Sequence, residues 1–363
     1  MRSIGSRTGI GAAVTLCALI AASGATAKSL TKIVYAGPPP QTQKIAAKLV
    51  PKNFVSVYQP DFNAFFNKKT TVHAGDTVSF VLNGFHTVDL PAKGGTLLPL
   101  IVPGHTLVSG VNDAAGNPFW FNGKVPNVGL NPALLAPPAA KTYNGSQRLD
   151  SGLPAPTGPP KPFNVTFTKA GTYKFFCDVH PGMVGTVVVK AARAAIPSAK
   201  QDAKALAAQV TADVKAAKKA AATKLPANTV SLGLSARGGV ELFNMFPATL
   251  TVRPNTVVTF QMSKDSFETH TATFGPRPEL AKLANGFQGV NFPAQGVFPS
   301  DPPGTITESK TAHGDGFANT GALDTNAHST TIPSSGKIDF TQPGTYKFIC
   351  LIHPFMHGTI IVK

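Results

Sequence analysis

Residues 70–90, "TTVHAGDTVSFVLNGFHTVDL", alternate apolar and polar positions on either side of a Gly-Asp turn. A period of two over runs this short predicts β-strands with one buried face. Residues 250–274, "LTVRPNTVVTFQMSKDSFETHTATF", repeat the pattern, with Val72 and Phe80 matching Val252 and Phe260. Each run ends shortly after a histidine, His86 or His270. Farther on, "GTYKFFCDVHPGMVGTVVVK" at 171–190 returns as "GTYKFICLIHPFMHGTIIVK" at 344–363, identical at thirteen of twenty positions. Both read as strand, tight loop, strand. The chain is therefore an internal repeat of two strand-rich units, with the strand pattern of the first beginning around Val55.

Two features interrupt the repeat. Long Pro/Gly/Asn-rich inserts, about 91–162 and 275–335, are too long for hairpin loops and are expected to pack over a sandwich or line its end. Between the units, "IPSAKQDAKALAAQVTADVKAAKKAAATKLP" at 196–226 is rich in Ala and Lys and bounded by Pro197 and Pro226. It predicts a helix over roughly 198–222. Leu206, Val210 and Val214 give that helix one narrow apolar stripe, as expected of a spacer lying against one domain.

The N-terminus reads as an export signal, residues 1–27. Arg2 and Arg7 precede a short apolar run, and Ala25-Thr26-Ala27 is a small-x-small cleavage site. No later stretch is long and apolar enough to span a membrane. The expected location is the periplasm, the cell envelope or the extracellular space. The division that follows is 28–192 for the first domain, 193–226 for the helical linker and 227–363 for the second domain.

Composition adds little beyond this. Charged residues are 14 % of the chain, and 34 Gly, 32 Pro and 24 Phe suit turn-rich all-β structure. The formal charge of +16 suits acidic partners or anionic surfaces. There is no arginine-rich or RNA-binding motif, so nucleic acid is not expected.

The candidate chemistry lies in the repeated loop. Each unit offers an early histidine and a distant Cys-x2-His-x2-Met: His86, Cys177, His180 and Met183, then His270, Cys350, His353 and Met356. Two imidazoles and a thiolate with a weak thioether are the donor set of blue-copper electron-transfer sites. Alternation in "TYKFFC" puts Tyr173, Phe175 and Cys177 on one strand face, so the thiol points inward. A structural zinc site needs four Cys or His ligands, and each unit supplies three plus a methionine. A disulfide between Cys177 and Cys350 would leave the matching His and Met unexplained.

These motifs resemble the cupredoxins of the plastocyanin/azurin type, and "CLIHPFM" at 350–356 is close to the amicyanin copper loop. The resemblance covers about 70–90, 165–190, 245–275 and 338–363. It implies two Greek-key β-sandwiches, each holding one type 1 copper, and a role passing single electrons between redox protein partners. Family members often carry Asn after the first histidine ligand; Thr87 and Thr271 stand there, so the hydrogen bonding around the thiolate is expected to differ. Asp178, taken as solvent-exposed, should give the first copper the lower potential, against Leu351 and Ile352 in the second loop.

Two other readings stay open. Copper nitrite reductases and two-domain multicopper oxidases also pair such domains, but they need a histidine beside the cysteine and His-rich second centres. Here Cys177 is flanked by Phe176 and Asp178, Cys350 by Ile349 and Leu351, and no His-x-His pair occurs. Copper sequestration or delivery would call for Met- or His-rich tracts, and the chain has five Met in all.

Overall fold

A computed structural model describes residues 29–137, 140–154, 161–325 and 332–363. The signal segment and His328 lie outside the described residues. Each unit is a pair of facing sheets. In the first, strands Thr31–Ala36, Thr77–Leu82 and Phe163–Phe167 form the centre of one sheet. The other sheet centres on Gly171–Phe176 and Val184–Lys190, with Lys69–His73 at its edge. The second unit repeats this with Thr229–Ala236, Thr256–Met262 and Ser335–Phe340 facing Gly344–Ile349, His357–Val362 and Thr249–Val252.

Registers correspond as well. Thr31–Ala36 pairs in parallel with Thr77–Leu82, as Thr229–Leu232 does with Thr259–Met262. The first unit thus begins at Thr31, well before the alternating run around residue 70. Its strand "TKIVYA" is too short and isolated to stand out without its parallel neighbour.

Aromatic rings fill equivalent places in the two cores. Phe175 meets Phe80 edge-on at 5.0 Å between centroids, and Phe348 meets Phe260 at 5.3 Å. Gly185 and Gly358, identical in the repeat, lie where any Cβ would strike the Phe175 or Phe348 ring. The small residue lets each ring seat against the neighbouring strand.

The linker helix spans Ala199–Ala220, with Ser198 and Gln201 capping it reciprocally. Its stripe is buried as expected, but the helix lies between the units rather than against one. Leu206, Val210 and Val214 share a cluster with Phe62 and Phe66 of the first unit and Leu234, Val240 and Leu242 of the second. The 22-residue helix is long enough to carry its stripe across both. Lys32 pairs with Asp202 at 2.7 Å, and Gln209 donates to the Phe65 carbonyl.

The units also share a sheet: Pro60–Phe62 of the first adds antiparallel to Val240–Phe246 of the second. The inserts pack on each other, not only over their own sandwiches. Phe119, Phe121 and Val108 from one meet Leu280, Leu283 and Phe317 from the other, above Leu351. Trp120 donates its indole N–H to the Pro299 carbonyl at 2.8 Å. Among the described residues no helix is long and apolar enough to cross a membrane.

His313 of the second insert faces Asp301 and, across the junction, Asp113, each at 3.3 Å. Its ring stacks on Phe119. The hydrogen bond to Asp301 is the largest cause raising its pKa, and Asp113 adds to it. A raised histidine contributes stability below its unfolded value of about 6.5 and loses it as pH rises through the folded value. Changing His313→Gln should therefore cost about 1–2 kcal/mol near pH 6 and much less near pH 9, by urea unfolding at both. An equal cost at both pH values would contradict this.

Gly182, at φ +116°, lies where a Cβ would come 2.5 Å from Phe267 of the other unit. The Gly182→Ala change should cost roughly 1–3 kcal/mol through overpacking and backbone strain, measured as a lower urea midpoint. An unchanged midpoint would mean the units do not press together here.

Candidate metal centres

Strand geometry delivers the cysteines. Phe175 and Cys177 alternate inward at the end of one strand, and Tyr346, Phe348 and Cys350 do so in its twin. Both thiols are fully buried and neither is in a disulfide. The loop then closes on itself identically in both units. The Cys177 N–H donates to the Met183 carbonyl at 3.1 Å and the Met183 N–H to the His180 carbonyl at 2.9 Å. The matching bonds of Cys350, Met356 and His353 measure 3.0 and 2.8 Å. This returns the second histidine and the methionine to the cysteine's end of the sandwich.

The early histidine arrives from the segment that crosses from one sheet to the other, just before a short strand that pairs with the cysteine's strand. His86 Nδ1 is 3.0 Å from His180 Nδ1, and Cys177 Sγ is 3.9 and 3.5 Å from the two. In the second unit His270 Nδ1 is 3.1 Å from His353 Nδ1, with Cys350 Sγ at 3.6 and 3.8 Å. An ion about 2.0–2.3 Å from three N and S donors in a plane sets them roughly 3.5–3.7 Å apart. The S···N distances lie near this, and the two N···N pairs, at 3.0 and 3.1 Å, would open by about 0.5 Å. Both triads fit one small ion each. Met183 and Met356 are buried in the same cores as the cysteines. A soft thiolate with two imidazoles suits copper.

Threonine takes over the bracing around the sulfur. The Thr87 N–H points at Cys177 Sγ at 3.4 Å, and the Thr271 N–H at Cys350 Sγ at 3.5 Å. Each hydroxyl accepts the N–H of the residue after the cysteine: Asp178 to Thr87 at 2.8 Å, Leu351 to Thr271 at 2.9 Å. One residue thereby ties the early histidine's strand to the ligand loop, as outer partners of metal ligands commonly do.

The two sites differ in charge. Asp178 is fully buried, contrary to the exposed position expected of a loop aspartate. It accepts hydrogen bonds from Thr87 and the Leu98 N–H, so insert residues cover it. With Asp89 and Asp150 it forms a buried carboxyl cluster, and Arg148 pairs with Asp89. Burial, then the charge of Asp178, pushes Asp89 to about 7 and Asp150 to about 8. The cluster therefore holds protons near neutrality and carries less charge than three carboxylates. In the second unit the same place is neutral: Thr271, Thr273 and Asn319 hydrogen-bond in a row beside Leu351.

A residue that sequence reasoning missed lies between the sites. Glu268 Oε1 is 3.1 Å from His180 Nε2, and Oε2 is 3.6 Å from His353 Nε2. Asn63 Nδ2 donates to Oε1 at 2.5 Å. Against the opposing effect of burial, His180 and then His353 hold the Glu268 carboxyl far below the carboxylate range. Burial would lower His180, but Glu268 and Cys177 carry it well above its ordinary value. Burial would likewise raise the Cys177 thiol, but His180 and His86 hold it well below the usual range. Burial pushes the Cys350 thiol up to about 11, and burial lowers both of its histidines, His270 to about 3. The one sequence signal for Glu268 is an acid two residues before a ligand histidine, where the first unit has Gly84.

The remaining described histidines stand apart. His73 pairs with Asp76, His313 joins the inserts, His357 faces the Phe355 carbonyl, and His105 lies in the exposed strand Ile101–Leu107.

Residues 139–190 match the family of copper binding proteins of the plastocyanin/azurin type. No curated protein matches the chain. Among solved structures, a mutant fern plastocyanin is 19 % identical, with 37 % of this chain and 99 % of that one covered and a TM-score of 0.21. A Cu(I) amicyanin mutant is 16 % identical, with 40 % and 89 % covered and a TM-score of 0.21. A purple cupredoxin from Nitrosopumilus maritimus is 16 % identical, with 38 % and 100 % covered and a TM-score of 0.20. Each match covers about one unit's share of the chain. The matched segment of the plastocyanin/azurin copper-binding family ends in the first Cys-His-Met loop, and the same Cys/His/His triad is built a second time into the other β-sandwich.

Proposed function

We propose that this is an exported protein with two type 1 copper sites that carries single electrons between redox protein partners. The observation that carries the reading is the pair of Cys/His/His triads with near-equal geometry, buried but for a partly exposed His353. His86, Cys177, His180 and Met183 would hold one copper, and His270, Cys350, His353 and Met356 the other. Copper supplies a one-electron couple; the protein's part is to fix donors that change little between its two oxidation states. Rigid strands, the closed loops and the threonine braces do that. The division into domains 28–192 and 227–363 joined by 193–226 belongs to the same proposal, with each domain supplying one complete ligand set.

A partner would meet the second site near Phe355. That ring is half exposed, and its centroid lies 5.9 Å from that of His353. The basic chain suits an acidic partner. An oxidase or reductase would need a further metal centre reached through a histidine beside the cysteine, and neither cysteine has such a neighbour.

Copper-loaded protein should bind two coppers per chain with intense thiolate-to-copper absorption. The single changes Cys177→Ala and Cys350→Ala should each remove about half of that absorption. If either removed all of it, or neither changed it, the two-site reading would be wrong. Loaded protein should exchange electrons with small redox partners without turning over nitrite or phenols. Sustained turnover would favour the enzymatic reading.

A further inference from the structure

The buried Glu268 touches one ligand histidine from each repeat. His180 and His353 each turn Nδ1 toward their own cysteine and Nε2 toward this carboxylate. A metal on Nδ1 leaves the ring proton on Nε2, so both rings present an N–H to the same group. The 3.1 Å contact to His180 and the 3.6 Å contact to His353 both lie within ion-pair reach, the first the closer.

The carboxylate is held from both units. Asn63 comes from the segment that adds a strand to the second unit's sheet. Ser266 accepts the Glu268 N–H at 3.1 Å. Glu241, in turn, accepts from the Phe267 N–H at 2.7 Å and the Ser266 hydroxyl at 3.2 Å. A buried carboxylate without partners is costly, and here the two imidazoles and Asn63 supply them. Strict repetition would place a second acid at Gly84; the chain has one, placed where it serves both sites.

We propose that Glu268 is a positioning residue shared by both metal centres, and that His180–Glu268–His353 is the internal connection through which each centre responds to the other and a single electron passes between them. This rests on the two-copper reading above. With copper in both triads, one electron would leave the reduced centre and enter the oxidised one, with no atom transferred and no further reactant. The protein's part is to hold both Nε2 atoms on one carboxylate.

The first test needs no copper. Imidazole nitrogen NMR of metal-free full-length protein should show the signals of both His180 and His353 moving in Glu268→Gln, with His73 unmoved. Movement of one ligand ring alone, or of neither, overturns the bridge. If Glu268→Gln does not fold, Glu268→Asp replaces it with its own criterion. The shorter side chain should lose the longer His353 contact and keep that to His180, so the His353 signal should move and an unmoved His353 signal overturns the bridge. Redox titration of the loaded protein follows. Losing one negative charge beside both rings should raise both waves in Glu268→Gln, the first site's more. Emptying the second site by Cys350→Ala should shift the first site's wave in native protein and shift it less in the Gln background. A change confined to one wave, or undiminished cross-talk, overturns the proposal. Fewer than two coppers per chain, with both imidazole signals still responding, refutes the two-copper reading and leaves the bridge standing.

Discussion

A cysteine sulfur buried at the end of a core strand is the constraint on which the rest depends. Once alternation has turned Cys177 or Cys350 inward, its thiolate needs partners that water cannot supply. The chain provides two imidazoles, a backbone N–H and a loop that closes within six residues. The conserved pieces of the internal repeat serve this end. Glycine lets a phenylalanine seat against the next strand, and the loop's backbone bonds return histidine and methionine to the sulfur.

The second constraint is the junction between the units. A strand exchanged into the neighbouring sheet, a helix buried on both sides and two interlocked inserts hold the sandwiches together. Gly182 lets Phe267 approach the first ligand loop, and that approach brings Glu268 up to His180. The linker is thus a packed element of a common core. An electron carrier with mobile, independent domains would not need it.

The two sites share a fold but not an environment. The first is backed by a buried carboxyl cluster that shares protons near neutrality, the second by threonine, asparagine and leucine. Glu268 stands nearer the first. With copper in both triads, both differences would place more negative charge near the first thiolate and favour the higher-charged metal there. The difference rests on the carboxyl cluster and the bridge together, because Asp178 is no longer a solvated loop charge.

The sequence by itself determined the sandwiches and the Cys/His/His groups that gather at the end of each. Period-two alternation, a near-identical twenty-residue repeat and a fixed Cys-His-Met spacing are local signals, and local signals survive in one dimension. It also set the linker helix and its stripe. Tertiary structure alone decided what that stripe packs against, where Pro60–Phe62 pairs, and that Asp178 is covered by an insert. It alone decided that Glu268, 88 residues after His180 and 85 before His353, stands between them. Such placements depend on how two complete domains dock. Docking is set by surface shape and buried charge summed over both, which no short window of sequence contains.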